Sequence, residues 1–473
     1  MRVALLIFLG AALAVGAFAG DGSPPSPPVA ESPSSAPAAE GSVRAIEGDV
    51  ENLRRLSFGG KHPAVNEITR QELPALLERL LREELPPEKL GSYEEALRAF
   101  GFLPPGTRLM DILRRLLESE VAGVYDPSRR TLYVVAGGAR PNPMEETLRA
   151  LGVEMKTIIL SHELEHALQD VNFDLGALRK AVRGSEDREL AAASVIEGDA
   201  TFLMTLHAVR TVATRPWAGI LGKKKSEDVF PLILPILTEM LSRVDFDAGV
   251  EEAMRGEGLG DVPRYLRESL FVPYIAGLKF VMDAWRRGGW TNVNGLFRSP
   301  PASMEQVLHP EKYFDRPDAP RRMSLSLRPA VSATFSRRPP PAARGAVGDD
   351  ENPVAGGPWG ELGVRVFLED RGVPRAEAAT AAAGWDGDAF LVVGNKKKRG
   401  FLWAILWDSE TDRTEFKNAL ARHYPKTVVE EDGEMIWVAE GISRREFDVL
   451  RRRTRIVRDP SSPVSVGAPG IPR

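Results

Sequence analysis

Residues 162–166 read HELEH. The two histidines are of a type that binds metal ions, and the glutamate after the first histidine is of a type that can act as a general base. On an α-helix, residues four apart lie on one face, one turn from each other. His162 and His166 are therefore predicted to hold one zinc ion, because two neighbouring imidazoles are suitable ligands. Glu163 is rotated by about 100° from His162 and is predicted to act as general base on a water at the metal. The alternative is a solvent-exposed polar helix face whose histidines bind nothing.

A catalytic zinc ion needs a third protein ligand, and this chain of 473 residues contains no cysteine. Downstream, DRELAAASVIEGDATFLMTLHAVR predicts a helix that starts with a capping sequence. Glu197 lies inside this helix among apolar residues, where a carboxylate is unfavourable unless it is paired or binds a metal. We predict Glu197 as the third ligand, with Asp199 as the alternative.

Residues near these ligands are candidates for supporting them. Asp199 or Asp170 is predicted to accept the second ring N–H of a ligand histidine, with an ordinary solvated carboxylate as the alternative for each. The small residues around Glu197, which include Gly198 and Ala200, predict that the glutamate helix packs closely on the histidine helix.

The stretch HELEHALQD resembles the active-site helix of thermolysin-type metallopeptidases, and EGDA at 197–200 is similar to the glutamate helix of the gluzincin group. The resemblance implies a zincin-like fold, with His162, His166 and Glu197 as ligands of Zn²⁺ and Glu163 as catalytic base and proton shuttle. The segment between the two helices is longer than in thermolysin, which indicates a variant. The chain is also similar to a group of exported bacterial proteins that share HELEHALQD, EGDA and LHPEKY.

Further site elements follow from the resemblance and from the chemistry. In gluzincins a strand runs along the cleft, antiparallel to the substrate, and Thr131–Val135 is the matching segment here, with an internal strand as the alternative. A hydrolytic site also needs a hydrogen-bond donor for the developing oxyanion. The candidates for this catalytic role are Tyr274, on an apolar helix, and His309, in LHPEKY. Core packing of Tyr274 and helix capping by LHPEKY are the alternatives.

The N-terminal residues predict export. Residues 1–19 combine Arg2, an apolar run and the small residues Ala17 and Ala19 at a cleavage position, as in a signal peptide. Residues 20–44 are rich in Pro, Ser and Ala and predict a disordered tether. The mature protein is therefore expected in the periplasm or outside the cell. A buried first helix is the alternative for residues 1–19.

The rest of the chain divides into two predicted units. Residues 45–318 combine amphipathic helices with a hairpin and predict a mainly helical α+β catalytic domain, with a small sheet before the HELEH helix. Residues 319–358 predict a linker or peripheral loop, and residues 461–473 a disordered tail. Residues 359–460 alternate helix-type and strand-type segments, which predicts a small α+β domain with an antiparallel sheet.

Composition and hydropathy restrict the partners. A net charge of −4 with 27% charged residues predicts no nucleic-acid partner. The apolar run at 229–241 is shorter than a membrane span and contains Pro231 and Pro235, so we predict a buried helix rather than membrane contact. The favoured function is an exported zinc metallopeptidase that acts on a peptide or protein substrate. A non-catalytic envelope binding scaffold and a zinc hydrolase of a non-peptide substrate are the alternatives.

Overall fold

A computed structural model of the chain describes residues 36–85, 87–118, 123–136, 154–213, 260–327, 354–395 and 398–459. Over these residues the fold is α+β and mainly helical, with small sheets. The predicted signal peptide, the apolar run at 229–241 and the predicted tail all lie outside the described residues. Among the helices that are described, none is both long and apolar enough to cross a membrane.

The first part of the chain forms four helices and a three-stranded sheet. Their bounds are α1 Ala36–Arg54, β1 Ala64–Ile68, α2 Leu73–Glu84, α3 Pro87–Phe100, α4 Leu109–Glu118, β2 Gly123–Asp126 and β3 Thr131–Val135. Helix α1 begins inside residues 20–44, so the predicted tether is helical from Ala36 onward. Its apolar residues Val43, Ile46 and Val50 recur at helical spacing and are buried, which explains why this segment is ordered.

The strand order of this sheet is β1–β3–β2. β1 runs parallel to β3, and β2 pairs with β3 in antiparallel fashion through the predicted hairpin. β3 therefore has a strand on each side. The internal-strand alternative for Thr131–Val135 is confirmed, and the prediction that this strand lies along an open cleft is wrong. Both β2 and β3 contact the histidine helix, and the four residues of β2 are all buried.

A group of helices follows and contains the candidate ligands. Their bounds are α5 Met155–Phe173, α6 Leu175–Val182, α7 Glu186–Ala213, α8 Arg264–Arg298, α9 Met304–Leu308 and α10 Glu311–Phe314. Helix α5 carries HELEH and α7 carries Glu197, as predicted. Asp174 ends α5 with a left-handed backbone (φ 54°), and its side chain accepts the Ala177 N–H at 2.9 Å. One residue thus ends α5 and starts α6, which reverses the chain so that α7 packs beside α5.

Helices α7 and α8 touch through their backbones at two glycines. A Cβ on Gly198 would lie 2.2 Å from the carbonyl carbon of Gly277, and a Cβ on Gly277 would lie 2.1 Å from the carbonyl oxygen of Ser194. Only glycine permits this approach. Gly198 therefore serves the packing of α7 on α8, while the predicted packing of the glutamate helix on the histidine helix is also present.

The C-terminal unit is an antiparallel sheet covered by helices. Its elements are β4 Arg322–Leu327, β5 Val354–Gly356, α11 Gly360–Glu369, α12 Arg375–Ala382, β6 Trp385–Asn395, β7 Lys398–Trp407, α13 Glu410–His423, β8 Val428–Asp432, β9 Met435–Glu440, α14 Arg444–Arg453 and β10 Thr454–Asp459. Five strands form the sheet in the order β5–β6–β7–β9–β8, all antiparallel. β4 pairs with β10, so this part of the predicted linker is a strand of the C-terminal unit.

Aromatic side chains connect the two units. Phe100, the last residue of α3, stacks on Phe401 of β7 with ring centroids 4.1 Å apart. Phe102 stacks on Tyr265 of α8 at 4.4 Å, and Trp359 packs edge-on against Phe100 and Phe102 at 5.3 Å from each. The C-terminal unit is therefore joined to the helices by a continuous apolar core.

We expect Gly198→Ala to lower the free energy of unfolding by about 1–3 kcal/mol, because the added methyl group would overlap the backbone of Gly277. Gly295→Ala is the matched control on α8, since a Cβ at Gly295 meets nothing within 4 Å. It should raise the free energy of unfolding by about 0.5–1 kcal/mol through helix propensity. Urea unfolding followed by circular dichroism measures both changes. Equal stability of Gly198→Ala and the wild type would contradict the close contact.

Candidate metal centre

The histidine helix α5 is buried along its central turns. Leu160, Leu164 and Leu168 recur every four residues and join an apolar cluster with residues of α1 and β3. His162 and His166 lie on another face of the helix and are only 1% and 7% exposed. The alternative of a polar helix face exposed to solvent is therefore wrong.

His162, His166 and Glu197 converge on one point and are called the ligand triangle below. Nε2 of His162 lies 3.1 Å from Nε2 of His166, and Oε2 of Glu197 lies 3.4 and 3.3 Å from these two nitrogens. Ligand atoms bound at about 2.0–2.2 Å to a tetrahedral ion are about 3.3–3.6 Å apart. The ligand triangle has nearly these dimensions and can bind a metal ion. Asp199, the alternative third ligand, is not part of the converging group.

The electrostatics of the ligand triangle favour a positive charge at its centre. Burial lowers the pKa of His162, which favours the neutral ring that a metal ion requires. Burial acts to raise the pKa of Glu197, but the two histidines outweigh burial and hold this pKa well below its ordinary value. Burial also disfavours a charged His166, yet the Glu197 carboxylate raises the pKa of His166. A positive charge, either a proton or a metal ion, is therefore stabilised between the two histidines and Glu197.

Glu163 is held by strand β2 rather than by the ligand triangle. Its Oε2 accepts the backbone N–H of Tyr125 at 2.7 Å, and the Tyr125 hydroxyl donates to Asp170 at 2.9 Å, so β2 is fixed to α5 at two points. Gly123 helps the strand to lie close to α5, since a Cβ there would be only 3.3 Å from the Leu160 side chain and 3.3 Å from the Tyr133 carbonyl oxygen. The other oxygen of Glu163, Oε1, is buried and has no hydrogen-bond partner among the described residues. One oxygen is anchored and the other is available for proton transfer.

Of the two predicted oxyanion donors, Tyr274 is the one that the structure places beside the ligand triangle. Its ring lies 6.1 Å from the ring of His162, with the two planes 19° apart, and the residue is 1% exposed. Tyr274 reaches this position because Gly277, one turn later on α8, lets the helix touch α7. Tyr274 is therefore a core residue that also neighbours a candidate ligand.

His309, the other predicted donor, lies where α9 contacts the C-terminal unit. Its Nε2 is 2.9 Å from Oε1 of Glu361 in α11, and its Nδ1 is 3.9 Å from Glu311. The hydrogen bond with Glu361 is the main reason that the pKa of His309 is raised. Among the described contacts, none joins His309 to the ligand triangle.

A residue that the sequence analysis missed, Gln169, contacts a candidate ligand directly. Its Oε1 lies 3.1 Å from Nδ1 of His166, and its amide nitrogen donates to the Ile196 carbonyl at 3.0 Å and to Asp199 at 3.1 Å. Because both acceptors face the amide nitrogen, Oε1 faces His166 and accepts its Nδ1–H. This tautomer leaves Nε2 of His166 open to a metal. Neither Asp199 nor Asp170 makes the predicted direct contact, and Asp199 acts through Gln169.

Arg54, at the end of α1, holds Asp199 in the interior. Its Nε lies 3.2 Å from Asp199 and 3.1 Å from Glu165, and all three side chains are fully buried. The guanidinium also lies 4.4 Å from the centre of the Trp290 ring. Burial, with a further contribution from Asp199, raises the pKa of Glu165 well above its ordinary value. The interior therefore favours the neutral form of Glu165 beside the contact of Arg54 with Asp199.

Comparison with known proteins gives one family match. Residues 352–465 match a family described as Domain of unknown function (DUF8575). This match covers β5 to β10 of the C-terminal unit and does not include the ligand triangle. No curated protein and no solved structure matches the chain.

We expect Gln169→Met to weaken zinc binding by about 10- to 100-fold, because it removes the acceptor that fixes the His166 tautomer. Asn172→Leu is the matched control, since Asn172 lies on the same helix and its amide donates only to backbone oxygens, those of Leu168 and Ser57. Competition with a chromophoric chelator measures the affinities, and thermal unfolding of the metal-free proteins checks the fold. Unchanged affinity in Gln169→Met would contradict the positioning role.

A second prediction concerns pH and His309. Because its folded-state pKa is raised above 6.5, protonated His309 stabilises the fold below that pH, and the contribution is lost as the pH rises through the raised value. The side chain is 33% exposed, so we expect only about 1 kcal/mol after solvent screening. The stability difference between wild type and His309→Gln should be larger at pH 6 than at pH 9 in urea unfolding. An equal stability difference at both pH values would contradict a stabilising role of protonated His309.

Proposed function

We propose that the protein is a zinc metallopeptidase with a zincin-like catalytic domain. The observation that carries this proposal is the buried ligand triangle next to Glu163, whose one oxygen is anchored and whose other oxygen has no partner among the described residues. Two imidazoles and one carboxylate suit zinc, whereas calcium and magnesium prefer oxygen ligands. The resemblance of HELEHALQD and EGDA to gluzincin helices supports the same assignment.

The residues of the site have separate roles in the proposed hydrolysis. A zinc ion held by the ligand triangle would supply a Lewis acid and lower the pKa of a water molecule. With the ion in place, Glu163 would accept a proton from the attacking water on Oε1, while the Tyr125 N–H keeps the carboxylate oriented through Oε2. The same carboxyl group then gives the proton to the leaving amine. Tyr274, beside His162, is the candidate donor to the oxyanion.

We also propose that the protein acts after export, in the periplasm or outside the cell, on a peptide or protein substrate. The signal-type sequence of residues 1–19 supports export, and a chain without cysteine is compatible with an oxidising compartment. A non-catalytic scaffold has no need of Glu163, so its presence with an available oxygen favours an enzyme over a binding module.

Metal analysis of purified protein tests the ligand set. We expect one zinc per chain in the wild type and in Glu163→Gln, and a loss of most zinc in Glu197→Gln, which removes the anionic ligand. His207→Gln is the control, because this buried histidine lies on the same helix as Glu197 but pairs with Asp49 at 3.5 Å. Full zinc content in Glu197→Gln would show that the third ligand is another residue.

Hydrolysis of a peptide library by the same samples tests the reaction. Glu163→Gln should lower the rate by about 10²- to 10⁴-fold while it keeps its zinc, because it removes only the general base. A chelator should abolish wild-type activity, and added zinc should restore it. Stoichiometric zinc without hydrolysis of any peptide would overturn the peptidase proposal and leave the non-peptide hydrolase or the binding scaffold.

A further inference from the structure

A cavity of about 530 Å³ lies along the N-terminal half of α7 and reaches the candidate ligand Glu197. It borders α7 from Glu186 to Glu197, which corresponds to about 16 Å of helix. Its other walls come from α2, α3, α4, α6 and α8 and from the C-terminal unit. The cavity is thus long, and it connects the ligand triangle with the region where the two units meet.

The cavity is too large to be a packing defect. Protein interiors are close-packed, and an apolar cavity of about 150 Å³ already binds benzene. This volume falls in the range of ligand pockets, about 300–1,000 Å³. Ala193, Leu113 and Leu270 line it and keep part of their surface exposed within an otherwise buried region. These half-buried apolar residues indicate a space that an apolar group can fill.

The C-terminal unit supplies one wall of the cavity. Val354, residues 356–359 and Phe390 line it opposite the helices. This wall is held close to α7, because Gly360 has φ +73° and a Cβ there would lie 1.9 Å from a carboxylate oxygen of Asp187. The DUF8575 match begins at residue 352 and includes the whole wall. The cavity therefore exists only when both units are assembled.

The polar groups of the lining favour a hydrocarbon chain over a peptide backbone. Each peptide unit carries an N–H and a C=O that need partners when buried. The three lining hydroxyls already donate within the protein: Ser92 to the Lys89 carbonyl, Ser269 to the Leu266 carbonyl, and Tyr93 to Glu186. Between the two ends of the cavity the lining is mainly leucine, alanine and aromatic side chains. An alkyl chain has no hydrogen bonds to lose there.

The outer end of the cavity carries basic residues. Lys89, Arg179 and Arg183 line it and are exposed; Arg179 lies on α6 and Arg183 directly follows that helix. Glu186 and Glu189 also line this end, and each carboxylate already accepts a hydrogen bond, from Tyr93 and from the Gly184 N–H respectively. Positive charge at the opening complements an anionic head group.

We propose that this cavity binds a fatty acyl chain, with its carboxylate at Lys89 and Arg183 and its hydrocarbon tail along α7 toward Glu197. The C-terminal unit forms part of the binding site and so gives the matched family domain a role. The proposal extends the proposed function by placing an acyl ligand beside the metal site. Its binding can be measured without turnover, so it can fail or succeed independently of the peptidase assignment.

Displacement of the fluorescent fatty acid cis-parinaric acid from the full zinc-loaded protein tests the proposal. Unbranched fatty acids from C8 to C16 should displace the probe with increasing affinity until the chain fills the cavity. Ala193→Phe and, separately, Leu270→Phe should weaken binding at least tenfold, because each fills part of the cavity. Ala177→Phe is the matched control on α6, half-exposed and outside the lining. Thermal unfolding checks that every variant folds.

The head group is tested with a double variant, Lys89→Gln with Arg183→Gln. It should weaken binding of hexadecanoate about tenfold and leave binding of hexadecanol unchanged, whereas Lys180→Gln, an exposed neighbour outside the lining, should change neither. Free fatty acid and lysophospholipid are compared as sources of the acyl chain, and tighter binding of either supports the acyl site.

Three outcomes would overturn the proposal: fatty acid binding that does not saturate, wild-type affinity in both cavity-filling variants, or displacement of the probe by apolar peptides alone. Glu163→Gln should bind as the wild type does.

Discussion

The burial of carboxylates between α5 and α7 is the constraint on which the rest of the structure depends. An ionised carboxylate in an apolar interior is strongly unfavourable unless a charge partner and hydrogen bonds compensate it. The two histidines of the ligand triangle compensate Glu197, and Arg54 compensates Asp199. Because α1 delivers Arg54, the metal-site region requires the N-terminal helix as well as the two helices that carry the ligands. Binding of a metal ion at the ligand triangle would therefore be linked to folding, since the ion would supply charge that the interior must otherwise supply.

Helix geometry made the ligand triangle predictable, because its positions follow from periodicity within single helices. His162 and His166 share a face at four-residue spacing, and Glu197 was the carboxylate in apolar surroundings. Gln169 had a local signal that was not used, since it follows His166 by three residues on the same face. Arg54 had none, because its place depends on how α1 packs on α5 and α7, and tertiary packing is not encoded in any local period.

The same distinction explains the other differences between sequence and structure. The antiparallel sheet of the C-terminal unit follows from alternation within each strand, and it was predicted. The neighbours of Thr131–Val135 depend on β1, which is far away in sequence, so its internal position could not be read locally. Gly198 was recognised as a small residue, but which helix it contacts is decided by Gly277, almost eighty residues later. The spacing of residues in the sequence predicts which face of a helix or strand a side chain lies on. Which other segment packs against that face depends on how the whole chain folds.

Helix α7 joins the candidate site to three parts of the fold. At its start, Asp187 accepts the Met304 N–H and faces the C-terminal unit. At its middle, Glu197 completes the ligand triangle and borders the cavity. Near its end, His207 and Arg210 pair with Asp49 of α1. One helix of 28 residues therefore contacts the C-terminal unit, borders the cavity and carries a candidate ligand. The C-terminal unit thus touches the helix that carries Glu197 and shares the cavity with it, although among the described residues it contributes none to the ligand triangle.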